Sequence, residues 1–109
     1  MRTNFYITLS MTGSSMELMD WIDMDLFLVL EECGFSFLEL RTGASEMEKW
    51  TDFSDNYINI IAIAQHDIDC TNVRNALNEN IKKCGFENLV VKQVSIDTAK
   101  GPYFSDPKD

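Results

Sequence analysis

Hydrophobic positions along the chain change period several times, and the changes mark out six elements. Residues 4–11 alternate, with Phe5, Ile7, Leu9 and Met11 on one face and Tyr6, Thr8 and Ser10 on the other, as a half-buried strand requires. Thr12-Gly13 ends the alternation. Ser14-Ser15-Met16-Glu17 then predicts a capping box, in which the Ser14 hydroxyl takes the Glu17 amide and Glu17 reaches back. A helical period follows over 15–33, with Gly34 placed as its left-handed C-cap. Residues 36–41 predict a second strand, stopped by Thr42-Gly43. The connection 44–55 has room for one helical turn, which Ser45 and Glu48 would cap. Residues 57–64 form the most apolar strand, expected at the centre of its sheet. Asp69 is the expected cap of a second helix, with Ile68 stapled onto Val73. That helix ends at Cys84-Gly85, and residues 89–94 make a fourth strand.

The two halves resemble one another. Cys33-Gly34-Phe35 recurs fifty-one positions later as Cys84-Gly85-Phe86, each copy lying between a helical run and a strand. The same shift lays Ile22 on Val73, Leu26 on Leu77, Leu30 on Ile81, and Leu38 and Leu40 on Leu89 and Val91. It also lays Ile7 on Ile58 and Leu9 on Ile60, which assigns the core face of both inner strands. The order β-α-β-β-α-β most economically gives an α+β ferredoxin-like sandwich: a four-stranded antiparallel sheet with two helices on one face. The expected organisation is a single domain over 1–97, with corresponding halves 4–41 and 56–94, and a C-terminal tail over 98–109.

The two helices differ in what they show to solvent. In the second, Cys70, Val73, Leu77, Ile81 and Cys84 form one stripe, while Asn72, Asn75, Asn78, Glu79, Lys82 and Lys83 face away. In the first, steps of about 100° per residue put Leu18, Met19, Ile22, Leu26, Val29, Leu30 and Cys33 on the core side. They put Trp21, Met24, Phe27 and Leu28 on the other, among Glu17, Asp20, Asp25, Glu31 and Glu32. Aromatic and methionine anchors within a charged rim have the composition of a protein-binding surface. The expected contact set is Asp20, Trp21, Met24, Asp25, Phe27, Leu28, Glu31 and Glu32. The competing expectation is that the 44–55 connection or the tail covers this face, using Trp50, Phe53, Tyr103 or Phe104. A second candidate surface is the open face of the sheet, with Tyr6, Thr8, Phe37, Glu39, Arg41, Tyr57, Asn59, Ile61, Ile63, Val90, Lys92 and Val94, which suits a homodimer.

Charge sharpens the asymmetry. The 109 residues carry a net charge of −9. Residues 1–55 hold three basic side chains against eleven carboxylates, and residues 56–109 hold six against seven. Such a chain is repelled by phosphate backbones, so the expected partner is a protein with a basic surface and not nucleic acid itself. Three cysteines without a Cys-x-x-Cys pair point to a reducing compartment. No apolar run reaches the roughly 18 residues of a membrane span and no signal sequence opens the chain, so a cytoplasmic location is expected and no membrane partner.

Chemistry is sparse. His66, Asp69 and Cys70 are the one place where ligand types crowd, and they read equally as a metal site or as an Asp-capped helix start. No Gly-rich phosphate loop is present. Thr12-Gly13-Ser14-Ser15 resembles the ligand loop of small-molecule regulatory domains of this fold, whose free helix amides hold an anion. Phe5-Tyr6-Ile7-Thr8-Leu9 resembles the first sheet motif of RNA-recognition domains, but the basic Gly-aromatic string of the second is missing from 56–64. No catalytic residue, metal or cofactor is therefore expected. Size, charge and one-sided acidity are similar to those of phage-encoded inhibitors that occupy the nucleic-acid groove of a host defence enzyme. The expectation is a small acidic, non-enzymatic protein-binding module of that kind. The alternative is a small-molecule-sensing regulatory domain that homodimerises.

Overall fold

In the computed structural model β1 (Thr3–Gly13) runs between two partners, β3 (Asn56–Ala64) and β4 (Leu89–Thr98), antiparallel to both. β2 (Ser36–Leu40) adds to the far side of β3, giving one open antiparallel sheet in the order β2-β3-β1-β4. Among the described residues three helices join the sheet: α1 (15–32), α2 (Ala44–Met47) and α3 (Cys70–Lys83). The described residues are 3–98, so the predicted tail, with Tyr103 and Phe104, lies outside them apart from Thr98.

Register decides the core. Leu9 stands opposite Ile58 and Ile7 opposite Ile60, and all four are fully buried, as the fifty-one-residue shift predicts. They join Leu18, Leu26, Val29 and Leu30 of α1 and Val73, Leu77 and Ile81 of α3 in one cluster, so both long helices cover the same sheet face. Burial of these aliphatic side chains, worth about 1.5–3 kcal/mol each, is the main force holding the layers together.

β4 departs from simple alternation. Ser10 pairs with Gln93 but Met11 pairs with Val91, which leaves Lys92 as an extra residue and reverses the side-chain parity beyond it. Val91 and Val94 therefore both face the core, and Val94, expected on the open face, is buried there. The free side of β4 is partly closed as well. The Asn78 side chain accepts from the Val91 amide at 2.8 Å and donates to the Val91 carbonyl at 3.0 Å, standing in for a neighbouring strand.

α1 changes geometry along its length. It is α-helical over Ser15–Trp21, π-helical over Ile22–Leu26 and α-helical again over Phe27–Glu32. A π segment widens the turn to i→i+5 bonding and in effect inserts one residue, so everything after it lags by about 100°. The lag turns Leu26, Val29 and Leu30 onto the stripe already occupied by Leu18 and Trp21. Trp21, expected outside, is consequently fully buried, while Met19, expected inside, is 49% exposed.

The caps follow backbone need more than side-chain pattern. Both Cys-Gly-Phe copies close Schellman motifs: Gly34 and Gly85 take φ of +111° and +83°. Phe35 N–H donates to the Leu30 carbonyl at 3.1 Å, and Phe86 N–H to the Ile81 carbonyl at 3.2 Å. Asp69 caps α3 through the Thr71 amide at 2.9 Å. Only half of the Ser14–Glu17 box forms: Ser14 Oγ accepts from Glu17 N–H at 3.4 Å, but the Glu17 carboxylate accepts from the Asn88 amide instead. α2 starts one residue earlier than Ser45, and Glu46, not Glu48, reaches back to the Gly43 amide at 2.8 Å.

Candidate functional site: the outer face of α1

The π segment divides the predicted contact set. Asp20, Glu31 and Glu32 are exposed, and Met24 and Leu28 are 70% and 57% exposed. Trp21 is withdrawn into the core, where its indole N–H donates to Asn80 Oδ1 at 2.7 Å. Phe27 is half-buried against the core. Asp25 is half-buried too, and its carboxylate accepts from Cys84 Sγ at 3.3 Å. The structure adds Met16, 75% exposed, together with Met19 and the exposed Asp23. The outward face is thus a row of methionines and one leucine set among carboxylates, with no aromatic anchor on the helix itself. Periodicity could not reveal this, because Leu18, Ile22, Leu26, Val29 and Leu30 also line up on an unbroken α-helix.

The field of this face is strongly acidic. α1 carries Glu17, Asp20, Asp23, Asp25, Glu31 and Glu32 and no lysine or arginine. The ion pairs among the described residues, Arg41–Glu39 at 3.3 Å and Lys92–Asp55 at 2.9 Å, both lie away from α1. Asp20, Asp23, Glu31 and Glu32 form no ion pair among the described residues, and the nearest basic side chain shown beside them is Lys83 of α3, which lines the same shallow hollow as Glu32. Like charges on adjacent turns cost stability, so the arrangement favours an approaching cation.

The connection 44–55 holds the beginning of α1 without covering its face. Asp52 Oδ1 accepts from the Ser15 amide at 2.9 Å and from Ser15 Oγ at 2.6 Å, and these bonds hold the Asp52 carboxyl below the usual carboxylate range. Phe53 N–H donates to the Gly13 carbonyl at 2.8 Å. The amide site predicted at Thr12–Ser15 is therefore filled by a carboxylate of the same chain. Trp50 packs half-buried on the core, whereas Phe53 is 68% exposed with a left-handed φ of +60°. Phe53 is no lid for Met24 or Leu28.

Elsewhere the chemistry is thin. Cys33, His66, Asp67, Ile68, Asp69, Asn72 and Val73 line a shallow hollow of about 260 Å³. No three metal-ligating side chains converge there or elsewhere among the described residues. Asp69 is engaged in capping α3. Burial, then the Glu32 charge, pushes the half-buried Cys33 thiol up; Cys84, expected on the core stripe, is exposed, and slight desolvation, then the Asp25 hydrogen bond and charge, raise its thiol too. Neither sulfur is poised as a thiolate nucleophile. On the open sheet face Ile61 is fully buried between Tyr6 and Glu39 on the neighbouring strands, and Tyr57 is 54% exposed. No helix among the described residues is long and apolar enough to cross a membrane.

Compared with known proteins, the chain matches no family model, no curated protein and no solved structure.

Proposed function

We propose that this chain is a ferredoxin-like sandwich with one added short helix, and that it works as a non-enzymatic binding module whose α1 face docks on a basic surface of another protein. The strand order and the two long crossover helices on one sheet face support the fold reading. The functional reading is carried by one observation. α1 presents Met16, Met19, Met24 and Leu28 exposed among carboxylates that have no basic neighbour on the helix. Soft apolar anchors provide adaptable contact, and a strongly acidic field steers a cationic partner and repels nucleic acid. The partner this suits best is a nucleic-acid-binding surface, and the biological setting we favour is a phage-type inhibitor occupying that surface on a host defence enzyme.

The test is capture of a partner on the immobilised protein at low and high salt, with the quadruple variant Asp20→Asn, Asp23→Asn, Glu31→Gln, Glu32→Gln alongside. Asp25 is left intact because it bonds Cys84. The expected partner is released by salt, is displaced by nucleic acid and is lost on the variant. Undiminished capture by the variant refutes the reading. The alternative, a homodimerising metabolite sensor, has its anion position occupied by Asp52. Its remaining support is the open sheet face, where the charges are paired and Tyr57 is exposed.

A further inference from the structure

We infer that the surface received by α1 combines positive charge with exposed aromatic side chains, the chemistry of a groove for single-stranded nucleic acid rather than for a duplex. The inference rests on the proposed reading that α1 meets a basic protein surface, and names which kind.

Grooves that hold duplex DNA act chiefly on phosphates and base edges, through charge and hydrogen bonds, and leave the faces of the bases stacked out of reach. Grooves that hold single strands add aromatic side chains on which unpaired bases stack, and each stacked base contributes substantially to binding. A protein that occupies a duplex groove needs carboxylates and gains little from apolar side chains between them. α1 has both. Asp20, Asp23, Glu31 and Glu32 are exposed and can meet the cations that would otherwise hold phosphate. Met16, Met19, Met24 and Leu28 project between them, 75%, 49%, 70% and 57% exposed. Thioether sulfur is polarisable and makes favourable contact with aromatic rings, and unbranched methionine adapts its shape to the face of a ring.

The corner before the helix continues the pattern. The Ser15–Asp52 clasp and the Phe53–Gly13 hydrogen bond fasten the connection to the start of α1. Met16 and Phe53 are the next residues along the chain on either side of the clasp, and both are largely exposed. Phe53 thereby adds an exposed ring on the segment fastened to the start of α1. The face is one helix wide and intersperses carboxylates with apolar side chains, much as a single strand presents both phosphates and bases.

Two synthetic peptides of equal charge separate the possibilities, one alternating Lys and Trp and one alternating Lys and Ser. The Lys–Trp peptide is expected to bind about tenfold more tightly than the Lys–Ser peptide. Met24→Ala with Leu28→Ala, and separately Phe53→Ala, should remove that advantage and leave Lys–Ser binding unchanged. Tyr57→Ala, on the opposite sheet face, should alter neither. All these positions are exposed, and an unchanged thermal melt verifies that each variant is folded. Equal affinity for both peptides overturns the inference and leaves the charge reading standing. A Lys–Trp advantage that survives the α1 and Phe53 variants also overturns it. If neither peptide shows salt-dependent binding that the quadruple carboxylate variant weakens, both the inference and the proposed function fail.

Discussion

Trp21 of α1 and Asn80 of α3 join the two long helices through one hydrogen bond, Nε1 to Oδ1 at 2.7 Å, beneath a fully buried indole. The bond makes the position of Trp21 a property of helix packing and not of helix periodicity. Asn80→Leu leaves the buried indole N–H without its acceptor, which costs about 1–3 kcal/mol. Trp21→Phe removes donor and volume together and should cost at least as much. For a domain of this size each kcal/mol is about 4–8 °C in Tm, so both losses are measurable by thermal denaturation. An Asn80→Leu variant that melts with the parent would show that the bond contributes nothing.

The π segment predicts a tolerated deletion. Removing Met24, 70% exposed, closes the helix to uniform α geometry and keeps Leu18, Trp21, Ile22, Leu26, Val29 and Leu30 on one stripe. The deletion variant should fold with Tm unchanged or raised, since the wider turn loses its poorer bonding. In a Trp50→Phe background its fluorescence should report the same buried Trp21 indole. A deletion variant that fails to fold would mean that the inserted residue is needed for the core itself.

Three glycines predict a graded series. Gly13 has φ of +139°, and a Cβ there would lie 1.8 Å from the Asn88 carbonyl oxygen, so Gly13→Ala should abolish soluble expression or lower Tm drastically. Gly34→Ala meets the Ile68 and His66 side chains at 3.3 and 3.5 Å and should be intermediate. Gly85→Ala meets nothing within 4 Å and carries only the left-handed backbone penalty, about 1–2 kcal/mol. The order Gly85, Gly34, Gly13 in increasing damage is the measurable outcome.

Asp52 predicts a pH dependence. Its folded-state pKa is lowered, first by the Ser15 hydroxyl and then by the Ser15 amide. The unfolded state therefore binds the proton more readily. The contribution of the clasp is complete above the unfolded carboxyl pKa and is lost as pH falls through the lower folded value. Asp52→Asn should flatten that acid-side part of the Tm–pH curve and change little at alkaline pH. An identical acid limb in parent and variant would show that the clasp does not couple to folding.

Local signals in the sequence were enough to place the four strands, the two long helices and both glycine caps among the described residues. Alternation from Phe5 to Met11, the apolar run from Tyr57 to Ala64 and the repeated Cys-Gly-Phe each depend on neighbours within a few residues. Backbone geometry imposes the same period wherever such a segment sits. The concentration of carboxylates on the first helix was equally legible, because charge is additive along the chain. What tertiary structure alone decided was the phase of side chains after an insertion. Trp21 turned inward because a π turn let it share a stripe with Leu26 and Leu30 and reach Asn80, and a regular wheel fits the sequence just as well. Val94 turned inward because Lys92 was bulged out against β1, a register no strand chooses alone. Asp52 closed the helix start because the connection was brought back to Gly13. In each case a contact distant in sequence selects between local conformations of similar energy. The acidic helix was therefore readable from the chain, but the side chains it offers to a partner were not.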